Sequence, residues 1–289
     1  MIINDHDYRK SDRLSLLATF DWPNDKKDRD KALDNDETFM WILDGPAYKD
    51  FSARTVKGLT KDDSTDLRHE LARKLHEYIN YVDISNWYQS NYDEWHRKTC
   101  DEFIEGINNI EERKEDKKVA FGKAQKIVNM SFKYLFCLKD AEDERYAEKF
   151  KFCHMPLDSF TLEWYKQAVV PWCRKKDVHF KFVANGLQNW SNLKYGECND
   201  PYSYSGIQHL IREYLSKGID GFVDEKGRSF TPFTAEFYIW QEQQLRSALK
   251  SIQNQSKAIK QSFPSYRNDD LKSLCQKSER ALVEISKHF

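Results

Sequence analysis

Apolar side chains recur at every third or fourth position through most of this chain, which is the spacing of one face of an α-helix. The clearest case runs from residue 66 to residue 81, where leucine or isoleucine stands at every fourth position. Similar patterns predict helices over 93–110, 119–138, 158–170, 205–218, 234–261 and 268–288. Residues 178–183 alternate between apolar and polar types as a short strand does, although a helical turn also fits them. The pattern therefore predicts an all-α or mainly α protein.

Composition supports this fold class. The 289 residues include ten glycines and seven prolines, whereas 32% are charged. A sheet protein of this length needs more turn residues. We expect a mainly helical domain over 1–289, built either as one body or as two closely packed lobes. Its candidate active-site core lies at 119–170, and its C-terminal helices lie at 234–288.

The cysteines and the N-terminal residues indicate the compartment. Six cysteines are scattered without a C-x-x-C pair, which is typical of free thiols in a reducing environment. The first residues lack the basic and apolar regions of a secretion signal. No window of about 18 residues is apolar enough to span a bilayer. We therefore expect a cytoplasmic protein with no membrane partner.

Two predicted helices carry residue types that suit a small active site. Lys126, Asn129 and Lys133 lie on one helix face, because spacings of three, four and seven residues bring side chains to the same side. Asp158 stands two positions after Pro156, where a helix N-cap belongs. An amine shielded from water is a better nucleophile, and a helix N-terminus favours an anion. The plainer alternative is that both lysines are solvated and that Asp158 only caps its helix.

Residues 121–165 resemble the core of the helix-hairpin-helix DNA glycosylases, and most nearly the archaeal 8-oxoguanine branch. In that family a helix rich in Lys, Met, Asn and Tyr leads through a connector to Pro-Val-Asp and a further helix. The counterparts in this chain are Asn129-Met-Ser-Phe-Lys-Tyr134 and Pro156-Leu-Asp158. The resemblance implies an all-α fold, a base flipped out of the duplex, and cleavage of its N-glycosidic bond. It also implies that Asp158 assists the departure of the base.

The family's other catalytic residue is a lysine that can form a Schiff base with C1′ of the sugar. When the sequences are matched on Tyr134, that position holds Met130, and Lys126 and Lys133 stand one turn to either side. The usual glycine-rich hairpin is missing, since only Gly122 lies nearby. The resemblance therefore leaves two routes open, which are attack by one of these lysines and activation of water by the carboxylate alone.

A basic and aromatic region follows the candidate carboxylate. Residues 164–194 hold six Lys/Arg and one acid, whereas the whole chain has a net charge of −1. Cations that neutralise phosphates, beside rings on which unstacked bases can lie, are typical of nucleic-acid binding. We therefore expect DNA to be bound by Lys166, Arg174, Lys175, Lys176, Lys181, Trp172 and Trp190. The alternative is that the rings belong to the core and that the cations form a solvated face.

Other chemistries have weaker motifs. No Cys or His pair has metal-ligand spacing and no glycine loop cradles a phosphate, so we expect neither a metal nor another cofactor. A metal-dependent nuclease would need divalent ions at Asp158 and Glu163, and a helical ribonuclease would use Arg174 and His179. The main non-enzymatic alternative is a helical accessory subunit that binds a partner protein through its C-terminal helices. That alternative is indicated by an apolar run with Ile239, Leu245, Leu249, Ile252 and Ile259.

The sequence thus favours a DNA glycosylase that serves in repair or in defence against foreign DNA carrying modified bases.

Overall fold

The protein is described by a computed structural model over residues 35–49, 51, 56, 60, 62–110, 118–138, 144–175, 186–224 and 226–262, with side chains as far as residue 254. The α-helices in these ranges are α1 (Asp36–Ile42), α2 (Thr65–Tyr81), α3 (Gln89–Ile110), α4 (Phe121–Cys137), α5 (Glu144–Glu148), α6 (Ser159–Trp164), α7 (Val170–Lys175), α8 (Tyr204–Ser216) and α9 (Pro232–Ser262). Within the same ranges the β structure is one isolated bridge between Val223 and Ser229. The expected all-α class is therefore confirmed. The possible strand at 178–183 and the helix expected at 268–288 lie outside the described residues.

The helical periodicity corresponds to burial in the fold. Along α2, Leu71, Leu75 and Ile79 are at most 4% exposed. Helix α4 is enclosed on most sides and packs against α3 and against the turn that continues α1. Its ring Phe132 lies edge-on to Tyr78 of α2. Helix α4 is thus the central element on which the neighbouring residues are positioned.

The helix that begins after Asp158 continues beyond the expected stop at Pro171. The α-helical segment α6 passes into a π-helical turn, Tyr165–Val169, and then into α7, which contains Pro171. A proline clashes with the carbonyl four residues earlier in an α-helix, whereas a π turn is wider and offers a bond five residues back. That bond is seen where the amide of Val170 donates to the carbonyl of Tyr165. A second π turn, Leu43–Ala47, contains Pro46.

The helix expected over 205–218, for which Ser205 was the candidate N-cap, starts slightly earlier. Ser203 is the N-cap of α8, because its Oγ accepts from the amide of Gly206 at 3.0 Å. Ser205 lies inside the helix and donates to the carbonyl of Gly196 at 2.9 Å. Gly218, expected to end this helix, follows the C-cap with a φ of +61°. A left-handed glycine at that place is the usual termination of a helix.

The chain divides into two compact units, Met1–Phe237 and Tyr238–Phe289. The first contains α1 to α8 and the start of α9, together with all the residues of the candidate site. The second contains the rest of α9. Along it, Leu245 and Leu249 are partly exposed and Ile252 is 46% exposed.

Candidate active site

Asp158 caps the N-terminus of α6, as the sequence predicts. Its Oδ1 accepts from the amides of Phe160 at 2.9 Å and Thr161 at 3.0 Å. Thr161 completes a capping box, since its hydroxyl accepts from the amide of Asp158 at 2.8 Å. The residue is partly exposed, so the carboxylate is held in place at the protein surface.

The segment that leads into Asp158, residues 154–157, has no regular secondary structure and is held by two buried glutamine side chains. Gln125 of α4 donates to the carbonyl of Leu157 at 2.7 Å and accepts from its amide at 3.2 Å. Gln208 of α8 does the same for Met155, at 2.6 Å and 3.2 Å. Both glutamines are 0% exposed. Each side-chain amide therefore pairs with the backbone as a neighbouring β-strand would.

His154 anchors the other end of this segment. Its Nε2 lies 2.7 Å from Oδ1 of Asp93, and its Nδ1 lies 2.9 Å from the hydroxyl of Tyr204. Asp93 also accepts from Gln89 at 2.8 Å and from Arg212 at 3.2 Å. Asp93 and Arg212 are partly exposed, whereas His154 is 2% exposed. The segment is thus attached to α3 and α8 as well as to α4.

A buried chain of polar groups joins the two anchors. Asn129 donates to Gln125 Oε1 and to the hydroxyl of Tyr204, each at 2.9 Å. Its carbonyl oxygen accepts from Nε2 of His96 at 2.9 Å, because an amide oxygen has no proton to give. Asn129, His96 and Tyr204 are at most 1% exposed. These bonds form a chain from Asp93 at the surface to the backbone beside Asp158. They determine which group donates and which accepts at each step.

Burial controls the protonation of the two histidines. Desolvation lowers the pKa of His96 well below its ordinary value, and the neighbouring His154 lowers it further. Desolvation also lowers the pKa of His154, although the bond to Asp93 opposes this. Burial alone would raise the pKa of Asp93, but the hydrogen bond from His154 and the charge of Arg212 hold it well below its usual range. At neutral pH the network therefore has neutral imidazoles and an ionised Asp93.

The two candidate lysines of α4 have different surroundings. Lys126 is partly exposed, and its Nζ lies 5.0 Å from the centre of the Trp190 ring. Lys133 is 12% exposed, and its Nζ lies 3.0 Å from Oε2 of Glu236, which is 2% exposed. Gln125, which holds Leu157, directly precedes Lys126 in the sequence. The first turns of α4 are thus attached to the segment carrying Asp158, whereas Lys133 is in a buried ion pair two turns further along.

The expected DNA-binding residues are distributed between the surface and the core. Lys166, Arg174 and Lys175 are exposed on the helical run that begins at Asp158. Trp172 is partly buried and lies edge-on to the ring of Tyr214. Trp190 contacts Lys126 instead of presenting a free face on both sides. Lys176 and Lys181, with His179, lie outside the described residues.

A strap formed by Gly186–Asp200 crosses the start of α4. The amide of Gly122 donates to the carbonyl of Leu193 at 2.9 Å. A Cβ at Gly122 would lie 1.8 Å from the carbonyl oxygen of Trp190, so any side chain at this position would force the strap to move. Further along the strap, the Arg97 guanidinium lies 4.9 Å from the centre of the Tyr195 ring. The strap thus fixes Trp190 beside Lys126.

Sequence reasoning predicted the cap at Asp158 and proposed two lysines as candidates, but it missed the polar network. Gln125 and Asn129 stand four residues apart within the apolar stripe of α4, on the buried face. Uncharged amides at core positions of an amphipathic helix require buried partners. Two amides in the apolar stripe therefore indicate a buried polar network, although the sequence does not reveal which residues are their partners.

Neither a metal cluster nor a membrane-spanning helix is present in the part of the chain that the structure describes. No three His, Cys, Asp or Glu residues there are grouped as metal ligands. No helix there is long and apolar enough to cross a bilayer. Comparison of the chain with protein-family models, curated proteins and solved structures gives no match.

Proposed function

We propose that the protein is a DNA N-glycosylase that uses Asp158 to release a modified base from a flipped nucleotide. The observation that carries this proposal is the fixed position of a surface carboxylate at a helix N-terminus, on a segment held by Gln125 and Gln208. Catalytic groups must be held within a fraction of an ångström of their working position. The two glutamines satisfy buried backbone groups of residues 155 and 157, as any fold requires, and in doing so they also fix the segment that ends at Asp158.

The reaction breaks the bond between C1′ of the sugar and the base nitrogen. The bonding electron pair leaves with the base, and positive charge develops on the sugar. Asp158 stabilises that charge and takes a proton from the attacking water, whose oxygen becomes the C1′ hydroxyl. The departing base gains a proton, so the products are the free base and an abasic site. The base must leave the stack first, because the sugar carbon is not accessible in the duplex.

A covalent route would use Lys126 in place of water. Lys126 is partly exposed and follows Gln125, which pairs with the backbone of Leu157. Lys133 is the weaker candidate because its amine already pairs with the buried Glu236. Borohydride reduction distinguishes the two routes. It traps a protein–DNA adduct in the Lys126 route and traps none in the water route.

The exposed cations support binding of the flanking DNA backbone. At a rise of about 1.5 Å per residue, Lys166 lies roughly 12 Å along the helix from Asp158. Arg174 and Lys175 lie about one further such distance away. Exposed cations along the helical run that begins at Asp158 can neutralise phosphates that flank the flipped nucleotide.

The test is incubation of the full chain with duplexes that each carry one modified base. Abasic sites are scored by strand cleavage with a small amine. The proposal predicts that at least one duplex acquires abasic sites at a rate proportional to enzyme concentration. An absence of product from every duplex, under conditions in which the chain is folded, contradicts it.

A second function, association with a helical partner, is favoured by the unit Tyr238–Phe289. Leu245, Leu249 and Ile252 have spacings of four and three residues, so they share one helix face, and all three are at least partly exposed. A second copy of the chain is the simplest partner to test. Sedimentation equilibrium should give a dimer for the wild type and a monomer for Leu249→Lys with Ile252→Lys. A monomeric wild type would contradict self-association.

A further inference from the structure

Gln125 and Gln208 are buried, and both are hydrogen-bonded to the backbone of the stretch that leads into Asp158. Each forms hydrogen bonds with both the amide and the carbonyl of one residue in the stretch before Asp158. Gln125 pairs with Leu157, and Gln208 pairs with Met155. The intervening Pro156 has no amide, and its carbonyl accepts from the hydroxyl of Thr161 at 2.9 Å. From Met155 to Asp158, every residue of the stretch therefore has a backbone bond to a side chain.

The two glutamines come from different helices, α4 and α8. Loss of one of them would leave a buried backbone amide and carbonyl without partners, which favours displacement of the stretch toward solvent. Since the stretch ends at Asp158, its displacement moves the carboxylate. A misplacement of about 1 Å at a reacting group can lower a rate roughly 100-fold.

Gln125 also belongs to the buried chain of polar groups. Its Oε1 accepts from Asn129, and its Nε2 donates to the carbonyl of Gly122 at 2.9 Å as well as to Leu157. All the hydrogen-bonding capacity of this amide is therefore used, and only one of the two amide orientations satisfies it. Because the Gln125 side chain is fixed in this way, it holds the backbone of Leu157 at a fixed distance from α4.

We propose that Gln125 and Gln208 are positioning residues that hold the Asp158 carboxylate in its reactive place. This inference rests on the proposed glycosylase function. The two residues touch neither the base nor the sugar, and they act only through the backbone of residues 155–157.

The first variant is Gln125→Met, which keeps the length of the side chain and removes its hydrogen bonds. Val128→Ala is the matched control, because Val128 is 0% exposed on the same helix but has no hydrogen bond to residues 154–158. Gln125→Met should lower kcat about 100-fold with KM for the modified duplex changed less than about threefold. Val128→Ala should lower the unfolding midpoint by a similar amount and keep kcat within about twofold. Gln208→Met should repeat the kcat loss.

A second readout does not depend on activity. The amide of Leu157 has Gln125 Oε1 as its partner, so its hydrogen exchange should become at least about tenfold faster in Gln125→Met and stay unchanged in Val128→Ala. Gln125→Glu is a milder variant. When protonated, the carboxylic acid donates to Leu157 and accepts from it, whereas the ionised form only accepts. Its kcat relative to wild type should therefore fall as pH rises.

These outcomes separate the inference from the proposed function. A wild type that releases no base ends both. An active wild type with full kcat in Gln125→Met overturns the positioning role alone, and so does an equal loss of kcat in Val128→Ala. A selective loss of kcat together with faster exchange at Leu157 supports it.

Discussion

The hydroxyl of Tyr204 donates to Nδ1 of His154 across 2.9 Å, which requires a neutral imidazole. The opposite nitrogen of the ring must carry the proton, because it faces the carboxylate of Asp93 at 2.7 Å. A second proton on His154 would remove the acceptor of the Tyr204 hydroxyl. Asn129 donates to that oxygen, and Nε2 of His96, 3.5 Å from it, donates to Asn129, so neither can accept the hydroxyl proton. The network is therefore complete in only one protonation state.

This relationship predicts that stability falls in mild acid. The pKa values of His96 and His154 are lowered by burial in the folded chain, whereas in the unfolded chain both are near 6.5. Below about pH 6.5 the unfolded chain therefore binds more protons, so the free energy of unfolding decreases with falling pH by up to roughly 1.4 kcal/mol per pH unit for each histidine. The stabilisation is fully present above that pH. Urea unfolding between pH 7.5 and 5 measures the slope, and a flat profile would contradict neutral histidines.

The buried ion pair of Lys133 and Glu236 gives a second prediction. Lys133→Met removes the amine that lies 3.0 Å from the Glu236 carboxylate, at a site where Glu236 is 2% exposed. We expect a loss of about 3–5 kcal/mol in the free energy of unfolding, and a smaller loss when Glu236→Leu is added. The exposed pair of Arg97 and Asp101 is the control, and Asp101→Asn should cost less than about 1 kcal/mol. Equal losses at the two sites would show that the Lys133 pair is solvated.

The contact between Gly122 and the strap gives a third prediction. Gly122→Ala places a methyl group 1.8 Å from the carbonyl oxygen of Trp190, which is backbone and cannot rotate away. The strap must move, and we expect a cost of about 1–3 kcal/mol. Trp190 should become more exposed, which shifts tryptophan emission to longer wavelength. Unchanged emission and stability would mean that the strap does not lie against α4.

The capping geometry of Asp158 predicts an ordered series of stabilities. Asn caps a helix as well as Asp does, so Asp158→Asn should change the free energy of unfolding by less than about 0.5 kcal/mol. Asp158→Ala removes the acceptor for Phe160 and Thr161 and should cost about 1 kcal/mol. Denaturant unfolding of both variants checks the order. A large loss in Asp158→Asn would mean that the carboxylate charge itself stabilises the fold.

The parts of the fold that depend on local sequence could be predicted from it. The face of α2 follows from the spacing of its leucines, and the cap at Asp158 follows from its position two residues after Pro156. In both cases the determining contacts lie within about one or two helical turns. Helix continuation through Pro171 was not predicted, because the π turn that accommodates the ring has no sequence signal of its own.

The polar network required knowledge of tertiary contacts. Gln125 meets Leu157 across 32 positions, and Asn129 meets Tyr204 across 75. Neither partner is marked by spacing within one helix. The sequence therefore identified the residue that caps α6 but could not identify the side chains that hold it.

The central claim is that the Asp158 carboxylate performs the chemistry. The most direct test is the single-turnover rate of base release from the best duplex by wild type and by Asp158→Asn, with the unfolding free energy of each measured alongside. We predict a loss of at least about 100-fold in the rate, with stability unchanged and DNA affinity not reduced, because the amide keeps the cap and removes only the negative charge. A rate for Asp158→Asn within about twofold of wild type would contradict the claim.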